Sequence, residues 1–162
     1  MKKEVKSTAN FLIHLIKLSN EIEKETRQKN KFFFRLYQKV MYKRKLKKLH
    51  HQLVKDLQKR FKHHWCPDFP YRLAEYRCIR IRDEYISPLI GESATKCGFN
   101  LSDLIQSFPK TLSIWIDPGR VEYALEDPFE DIYTLYDSKT KPKVWKRTSR
   151  MRIKNQINNY CE

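Results

Sequence analysis

The N-terminal half of the chain repeats apolar side chains at the spacing of an α-helix. Over residues 3–19 they recur every three or four positions, which predicts a first helix. The polar stretch over residues 20–31 is expected to be a loop or a frayed turn. Helical spacing returns over residues 32–64. The apolar stripe of this second predicted helix consists of Leu46, Leu49, Leu53, Leu57 and Phe61.

Beyond Pro67 and Pro70, which a helix interior does not tolerate, the apolar period changes to two. The alternation predicts four strands. They cover residues 76–82, 112–117, 121–125 and 132–136. Pro118-Gly119, between the second and third of them, is a tight-turn signal, so these two strands should form an antiparallel hairpin.

Two short helices are expected between the first and second predicted strands. Ser87 as N-cap and Pro88 at the first helical position predict where the first of these begins, and Gly98 predicts its end. Asn100 or Ser102 is expected to cap the second.

The order of these elements predicts a single α+β domain over residues 1–137. Its helices should pack on one face of a small antiparallel β-sheet. Residues 138–162 are expected to form a basic C-terminal tail, since their only acid is Glu162.

The formal net charge of +15 is concentrated around the second predicted helix. Residues 27–62 carry 14 Lys or Arg and one acid, Asp56, whereas residues 63–137 carry 7 bases and 13 acids. A positive segment of this kind attracts phosphate or acidic partners. One interpretation is a solvated helix face with a disordered tail, and the alternative is a weak RNA contact through residues 27–62.

The sequence offers no pattern of catalytic or cofactor-binding residues. The four cysteines form no CxxC pair and are expected to be free thiols, and His63-His64 lacks the paired spacing that tetrahedral zinc needs. The three glycines fall in no phosphate-binding loop. No stretch approaches the ~20 apolar residues of a membrane span, and the N-terminal apolar run lacks a signal-peptide cleavage site. We therefore expect a protein that is not an enzyme, binds no metal or cofactor, and makes no membrane contact.

Alternation in two predicted strands places three side chains away from the core. If the isoleucines of strand 112–117 face the helices, Trp115 and Asp117 point outward together, and Tyr76 does the same in strand 76–82. An outward aromatic beside a carboxylate suits a partner's pocket, because aromatic anchors dominate interface energies. Alternatively, a helix or the tail covers Trp115. An RNA-stacking sheet is disfavoured, since this part of the chain is net acidic.

Two segments resemble the two boxes of the BTG/Tob (antiproliferative, APRO) family. FKHHWCPDFP followed by YRCIRI resembles the first box, and FPKTLSIWIDPGRV resembles the second. SPLIGESATKCGFNLSDLIQSFP between them is similar to the family's linking helices. The resemblance covers residues 42–136 and implies the fold predicted above, a helical layer on a small antiparallel sheet.

The resemblance also implies a non-catalytic adaptor. Members of this family bind the Caf-type DEDD exonuclease subunit of the Ccr–Not deadenylase and link it to messages, to poly(A)-binding protein or to transcription factors. They promote poly(A) shortening and restrain proliferation, in the cytoplasm and the nucleus. The family's contact positions fall here on Tyr76, Trp115 and Asp117. The alternative is a basic RNA- or chromatin-associated regulator that kept the fold but lost deadenylase binding.

Four features depart from the family's pattern. Residues 71–75 replace a Lys-Gly before the first strand, and residues 20–41 resemble an insertion before the second helix. Arg120 stands where Glu is usual, which reverses a charge near the expected interface. Residues 138–162 carry no clear third box, so a contact with poly(A)-binding protein is not implied.

Overall fold

Two long helices and a small sheet make up the part of the chain that the structure describes. The structure, a computed structural model, describes residues 1–26, 32–83, 85–125 and 131–140, with backbone alone for 21–26 and 32–39. The helices are α1 (Lys2–Thr26), α2 (Phe32–Phe61), α3 (Pro88–Lys96) and α4 (Leu101–Ile105). The strands are β1 (Cys78–Arg82), β2 (Tyr85–Ile86), β3 (Thr111–Asp117), β4 (Arg120–Ala124) and β5 (Tyr133–Asp137). A 3₁₀ turn, Ala74–Arg77, leads directly into β1.

The strands in the described ranges form one antiparallel sheet in the order β2-β1-β3-β4-β5. Its central strand β3 pairs with β1, where Trp115 lies opposite Cys78, and with β4, where Asp117 lies opposite Arg120. Gly119 makes the turn between β3 and β4 with φ of 85°, a left-handed conformation that favours glycine. The hairpin predicted at Pro118-Gly119 is therefore confirmed.

The helices cover one face of the sheet, which confirms the predicted α+β architecture. α1 lies against β3, β4 and β5, and the ring centroids of Phe11 and Tyr123 are 4.6 Å apart. α2 packs against α1 and α3. The predicted apolar stripe of α2 is confirmed, since none of its five side chains is more than 3% exposed. The sheet's buried core face consists of Ile79, Ile81, Leu112, Ile114, Ile116, Val121 and Tyr123.

The loop predicted over residues 20–31 is wrong at its start, because α1 continues to Thr26. The run after Asn20 lacks a clear apolar stripe but is rich in Glu and Lys, which have high helix propensity. The side-chain amide of Asn20 donates to the carbonyl of Ile16 and so does not interrupt the helix. Residues 27–31 lie outside the described residues, and the insertion proposed over 20–41 stays a prediction.

The short helices follow the predicted boundaries closely. α3 begins at Pro88, and Gly98 follows its C-cap with φ of 76°. Asn100, rather than Ser102, caps α4, because its side-chain oxygen accepts from the Ser102 backbone N–H at 2.8 Å. The two-residue strand β2 was not predicted, since alternation cannot be recognised over so short a segment. Most of the predicted tail, residues 141–162, lies outside the described residues.

Asp56 holds α2 against α3. Its carboxylate accepts from Gln52 on α2 at 2.9 Å and from the Ser93 hydroxyl on α3 at 2.8 Å, and Lys96 lies 3.4 Å away. Burial alone would raise the pKa of Asp56, but the hydrogen bonds from Gln52, Ser93 and Lys96, with the charge of Lys96, outweigh it and lower the pKa.

Replacing Asp56 by Asn should therefore destabilise the protein in a pH-dependent way. A lowered folded-state pKa means that the charge contributes fully above the unfolded value near 3.8 and is lost as the pH falls through the folded value. We expect Asp56→Asn to lower the free energy of unfolding by about 1 kcal/mol at neutral pH. The deficit should shrink progressively as the pH falls below the unfolded value near 3.8.

Urea unfolding at several pH values measures this difference. Glu92→Gln, an exposed charge removal on α3, is the matched control and should show little pH-dependent change. A deficit for Asp56→Asn that stays constant over the whole range would contradict a role for the carboxylate charge.

Candidate functional site

The three predicted contact residues converge at one end of the sheet. Cys78 pairs with Trp115 in the antiparallel register of β1 and β3. Residues that precede Cys78 therefore lie beside those that follow Trp115, which brings Tyr76 close to Asp117. The prediction of Tyr76 within strand 76–82 is wrong at the start of that strand, because β1 begins at Cys78. Tyr76 lies on the 3₁₀ turn Ala74–Arg77, which contacts β3.

Tyr76 is presented to solvent by the 3₁₀ turn and is 46% exposed. The imidazole of His64, just beyond the end of α2, stacks on its ring with 4.4 Å between centroids and 6° between planes. The Arg60 Nε donates to the Tyr76 carbonyl at 3.4 Å. The phenol is thus held in one orientation before any partner arrives, which lowers the entropy lost on binding.

Trp115 is half-buried on the sheet face opposite the helices. Its strand neighbours Ile114 and Ile116 are fully buried on the core face, as the alternation predicts. Ser113, which alternation predicts to face outward with Trp115, is also fully buried. Its register partners are Cys78 on β1 and Glu122 on β4. Trp115 is neither fully covered nor fully exposed, which leaves part of the indole accessible to a partner.

Arg77 is the residue at this site whose function the sequence did not reveal. It is fully buried, and its guanidinium donates to the carbonyls of Ile116 at 3.0 Å and His64 at 2.6 Å. It also donates to three carbonyls in the segment between α2 and β1, those of Pro70, Arg72 and Leu73. The signal in the sequence is that alternation over the predicted strand 76–82 puts Arg77 on the inward face with Ile79 and Ile81, where an unpaired base is costly.

Asp117 completes the hydrogen bonding of Arg77. Its Oδ1 accepts from the Arg77 Nη2 at 2.7 Å, and its side chain is 17% exposed. The sequence predicts that Asp117 points outward and accepts a hydrogen bond from a partner. The structure shows that one carboxylate oxygen is already used inside the chain, so a partner could reach only the other oxygen.

Charges around the aromatic pair are largely balanced within the chain. Arg120, the reversed charge, is 51% exposed and lies 2.7 Å from Glu122 on the same strand. Burial raises the pKa of the Cys78 thiol; the nearby Arg80 opposes this and the charge of Asp117 adds to it. The outer surface around Trp115 therefore combines an aromatic centre with two ion pairs formed within the chain and the exposed Arg80.

The segment that leads into the 3₁₀ turn contains a strained residue. Leu73 has φ of 58°, a left-handed conformation that side chains rarely adopt, and it immediately precedes the 3₁₀ turn. Its carbonyl accepts from the Arg77 Nη1 at 3.2 Å and from the Tyr76 backbone N–H at 3.2 Å. The Arg77 network thus fixes the conformation that presents Tyr76.

The described residues contain no group of three or more His, Cys, Asp or Glu that could hold a metal ion. His64 stacks on Tyr76, and Trp65 packs between Phe61 and the Arg77 guanidinium. His64 and Trp65 therefore have a packing role. In the same ranges no helix is both long and apolar enough to span a membrane.

These features define an α+β domain with helices on one face of an antiparallel sheet and an aromatic surface at one sheet end. Residues 1–133 match the sequence model of the BTG family. The chain therefore belongs to the BTG family, whose members are antiproliferative.

Individual relatives and a solved structure agree with this assignment. The chain is 35% identical to chicken BTG1 (Gallus gallus) over 99 residues, which are 61% of this chain and 57% of that protein. It is 31% identical to mouse Tob1 (Mus musculus) over 109 residues, 66% of this chain and 28% of that protein. The BTG/Tob domain of C. elegans FOG-3 superposes with a TM-score of 0.61 at 18% identity, covering 85% of this chain and 90% of that one. The matches span only about half of BTG1 and about a quarter of Tob1.

Removing the Arg77 guanidinium should destabilise the whole domain. Arg77→Met leaves several buried carbonyls and Asp117 without their donor, and breaking a buried pair of this kind costs about 3–5 kcal/mol. Denaturant unfolding measures the loss. Arg72→Met, in the same segment with an exposed side chain, is the control and should change stability by less than about 1 kcal/mol.

Asp117→Asn keeps an acceptor for Arg77 and provides a milder test if Arg77→Met does not fold. We expect it to cost about 1–2 kcal/mol, because only the charge of the pair is removed. Equal stability losses for Arg77→Met and Arg72→Met would show that the network does not stabilise the fold.

Proposed function

We propose that this chain is a non-catalytic adaptor that binds the Caf-type DEDD exonuclease subunit of the Ccr–Not deadenylase. By docking there it promotes shortening of mRNA poly(A) tails, in the cytoplasm and the nucleus, and so contributes to antiproliferative control of gene expression. Membership of the BTG family supports this proposal. RNA-binding proteins or transcription factors are its further partners in the same scheme.

The observation that carries the proposal is the placement of Tyr76, Trp115 and Asp117 at one end of the sheet. Tyr76 is exposed and pre-oriented by His64, and Trp115 is partly accessible two positions from Asp117. Buried aromatic anchors with satisfied polar neighbours are the usual source of binding energy at interfaces. The surface around them offers an acceptor, the second oxygen of Asp117.

Asp117 has a double function in this mechanism. Its bond to Arg77 holds the Leu73–Tyr76 segment in shape, and its remaining oxygen is available to a donor on the deadenylase subunit. Substitutions of Asp117 therefore alter the presentation of Tyr76 together with any direct contact. For that reason Tyr76 and Trp115 are the residues on which the proposal is tested.

Substitution of either aromatic anchor should weaken binding to the purified deadenylase subunit. We expect Tyr76→Ala and Trp115→Ala each to cost about 2–4 kcal/mol, or roughly 30- to 1000-fold in Kd. Titration calorimetry measures both. Tyr85→Ala is the matched control and should leave the affinity unchanged. Tyr85 is 56% exposed on β2 and pairs with Arg82, at the end of β1 that lies away from Tyr76.

Unfolding curves of the same variants separate lost contacts from lost structure. Tyr76→Ala is the decisive variant, since an exposed ring contributes little to the core. Binding that survives both substitutions would place the interface elsewhere. Failure of the wild-type chain to bind at all would instead favour the alternative, a regulator that kept the fold without this partner.

A further inference from the structure

The exposed side of α2 carries a row of cations along one face. Arg44, Lys48, Lys55 and Lys59 are all exposed and are separated by four, seven and four positions, which places them on one face of the helix. His51 lies between them on the same face and is also exposed. With a rise of ~1.5 Å per residue, the row extends for about 22 Å. We call Arg44, Lys48, Lys55 and Lys59 the α2 basic stripe.

The acid of this helix does not neutralise the stripe. Asp56 points toward α3, where it accepts from Ser93 and pairs with Lys96. Lys45 is also turned away, since its ammonium donates to the Gly98 carbonyl at 2.9 Å. Among the described residues, no ion pair forms at Arg44, Lys55 or Lys59. The stripe therefore presents positive charge that the described part of the chain leaves uncompensated.

The chemistry of the stripe fits a polyanion better than a folded protein partner. Among the described residues, the large apolar side chains that are exposed include none between Arg44 and Lys59. A specific protein interface needs such anchors at its centre. Phosphate contacts need only Lys and Arg at the surface, and they supply most of the affinity for a nucleic acid backbone.

We propose that the α2 basic stripe binds the sugar–phosphate backbone of single-stranded RNA without reading its bases. The stripe ends beside the aromatic surface, because Arg60, the residue after Lys59, donates to the Tyr76 carbonyl. RNA lying along α2 would thus pass next to a deadenylase docked at Tyr76 and Trp115. That placement rests on the proposed function, whereas RNA binding by the stripe does not.

The test compares two charge-reversal variants of the full chain. In the stripe variant, Arg44, Lys48, Lys55 and Lys59 are all replaced by Glu. In the control variant, four exposed lysines outside α2 are replaced by Glu, so both variants have the same net charge; they are Lys2, Lys3, Lys110 and Lys139. Fluorescence anisotropy measures binding of a labelled oligoadenylate and of an oligouridylate of equal length, from about 50 to 200 mM salt.

The stripe variant should bind both oligonucleotides at least about tenfold more weakly than the control variant at low salt. The slope of log K against log salt should be shallower by about 3 for the stripe variant than for the control variant. Each phosphate contact to a single strand contributes about 0.7 to that slope, and the stripe variant loses four such contacts. Its Kd for the deadenylase subunit should equal that of wild type, so failure here is distinguishable from failure of the proposed function.

Equal RNA affinity in the stripe and control variants would overturn the proposal. So would tighter binding of poly-glutamate than of either oligonucleotide at matched charge concentration, because that result would assign the stripe to an acidic protein partner. A strong preference for oligoadenylate over oligouridylate would overturn the backbone-only mode of recognition.

Discussion

The rest of the candidate site depends on the hydrogen bonds made by the buried guanidinium of Arg77. A charge without solvent contact is tolerated only when its donors are satisfied, and here carbonyls from three parts of the chain and one carboxylate satisfy them. The N–H groups of Arg77 thereby link His64, just beyond the end of α2, to Ile116 on the central strand β3. The segment between α2 and β1 thereby gains a fixed course although it has little regular structure of its own.

This arrangement makes the binding surface and the fold share their residues. Leu73 adopts a left-handed conformation that is unfavourable for leucine, and the Arg77 bond to its carbonyl helps to hold it. The 3₁₀ turn that follows carries Tyr76, and His64 fixes the ring from the other side. A site held in this way needs little reorganisation to bind a partner. Substitution of its polar residues therefore changes the stability of the domain as well as the affinity for a partner.

Helical and strand periods predicted the architecture of this chain but not the polar contacts within it. The apolar stripe from Leu46 to Phe61 predicts α2 because burial alone creates that period. Alternation also placed Arg77 inward and Asp117 outward, yet it could not show that the long guanidinium reaches across the strand to the carboxylate. The sequence does not predict the helical run after Asn20, because that run has no clear apolar stripe and only the helix propensity of its Glu and Lys residues favours a helix there.

The two candidate surfaces differ in whether their charged side chains are paired within the chain, and this difference distinguishes the kinds of partner proposed for them. At the aromatic surface Asp117 is paired with Arg77 and Arg120 with Glu122, so contacts there depend on shape and apolar area. On α2 the acid is turned toward α3 and the exposed cations stay uncompensated within the described residues. Added salt screens the second kind of contact far more than the first. Because Arg60 bonds to Tyr76, the two surfaces adjoin, so the proposed contact with the deadenylase subunit and the proposed contact with RNA would lie side by side on one small domain.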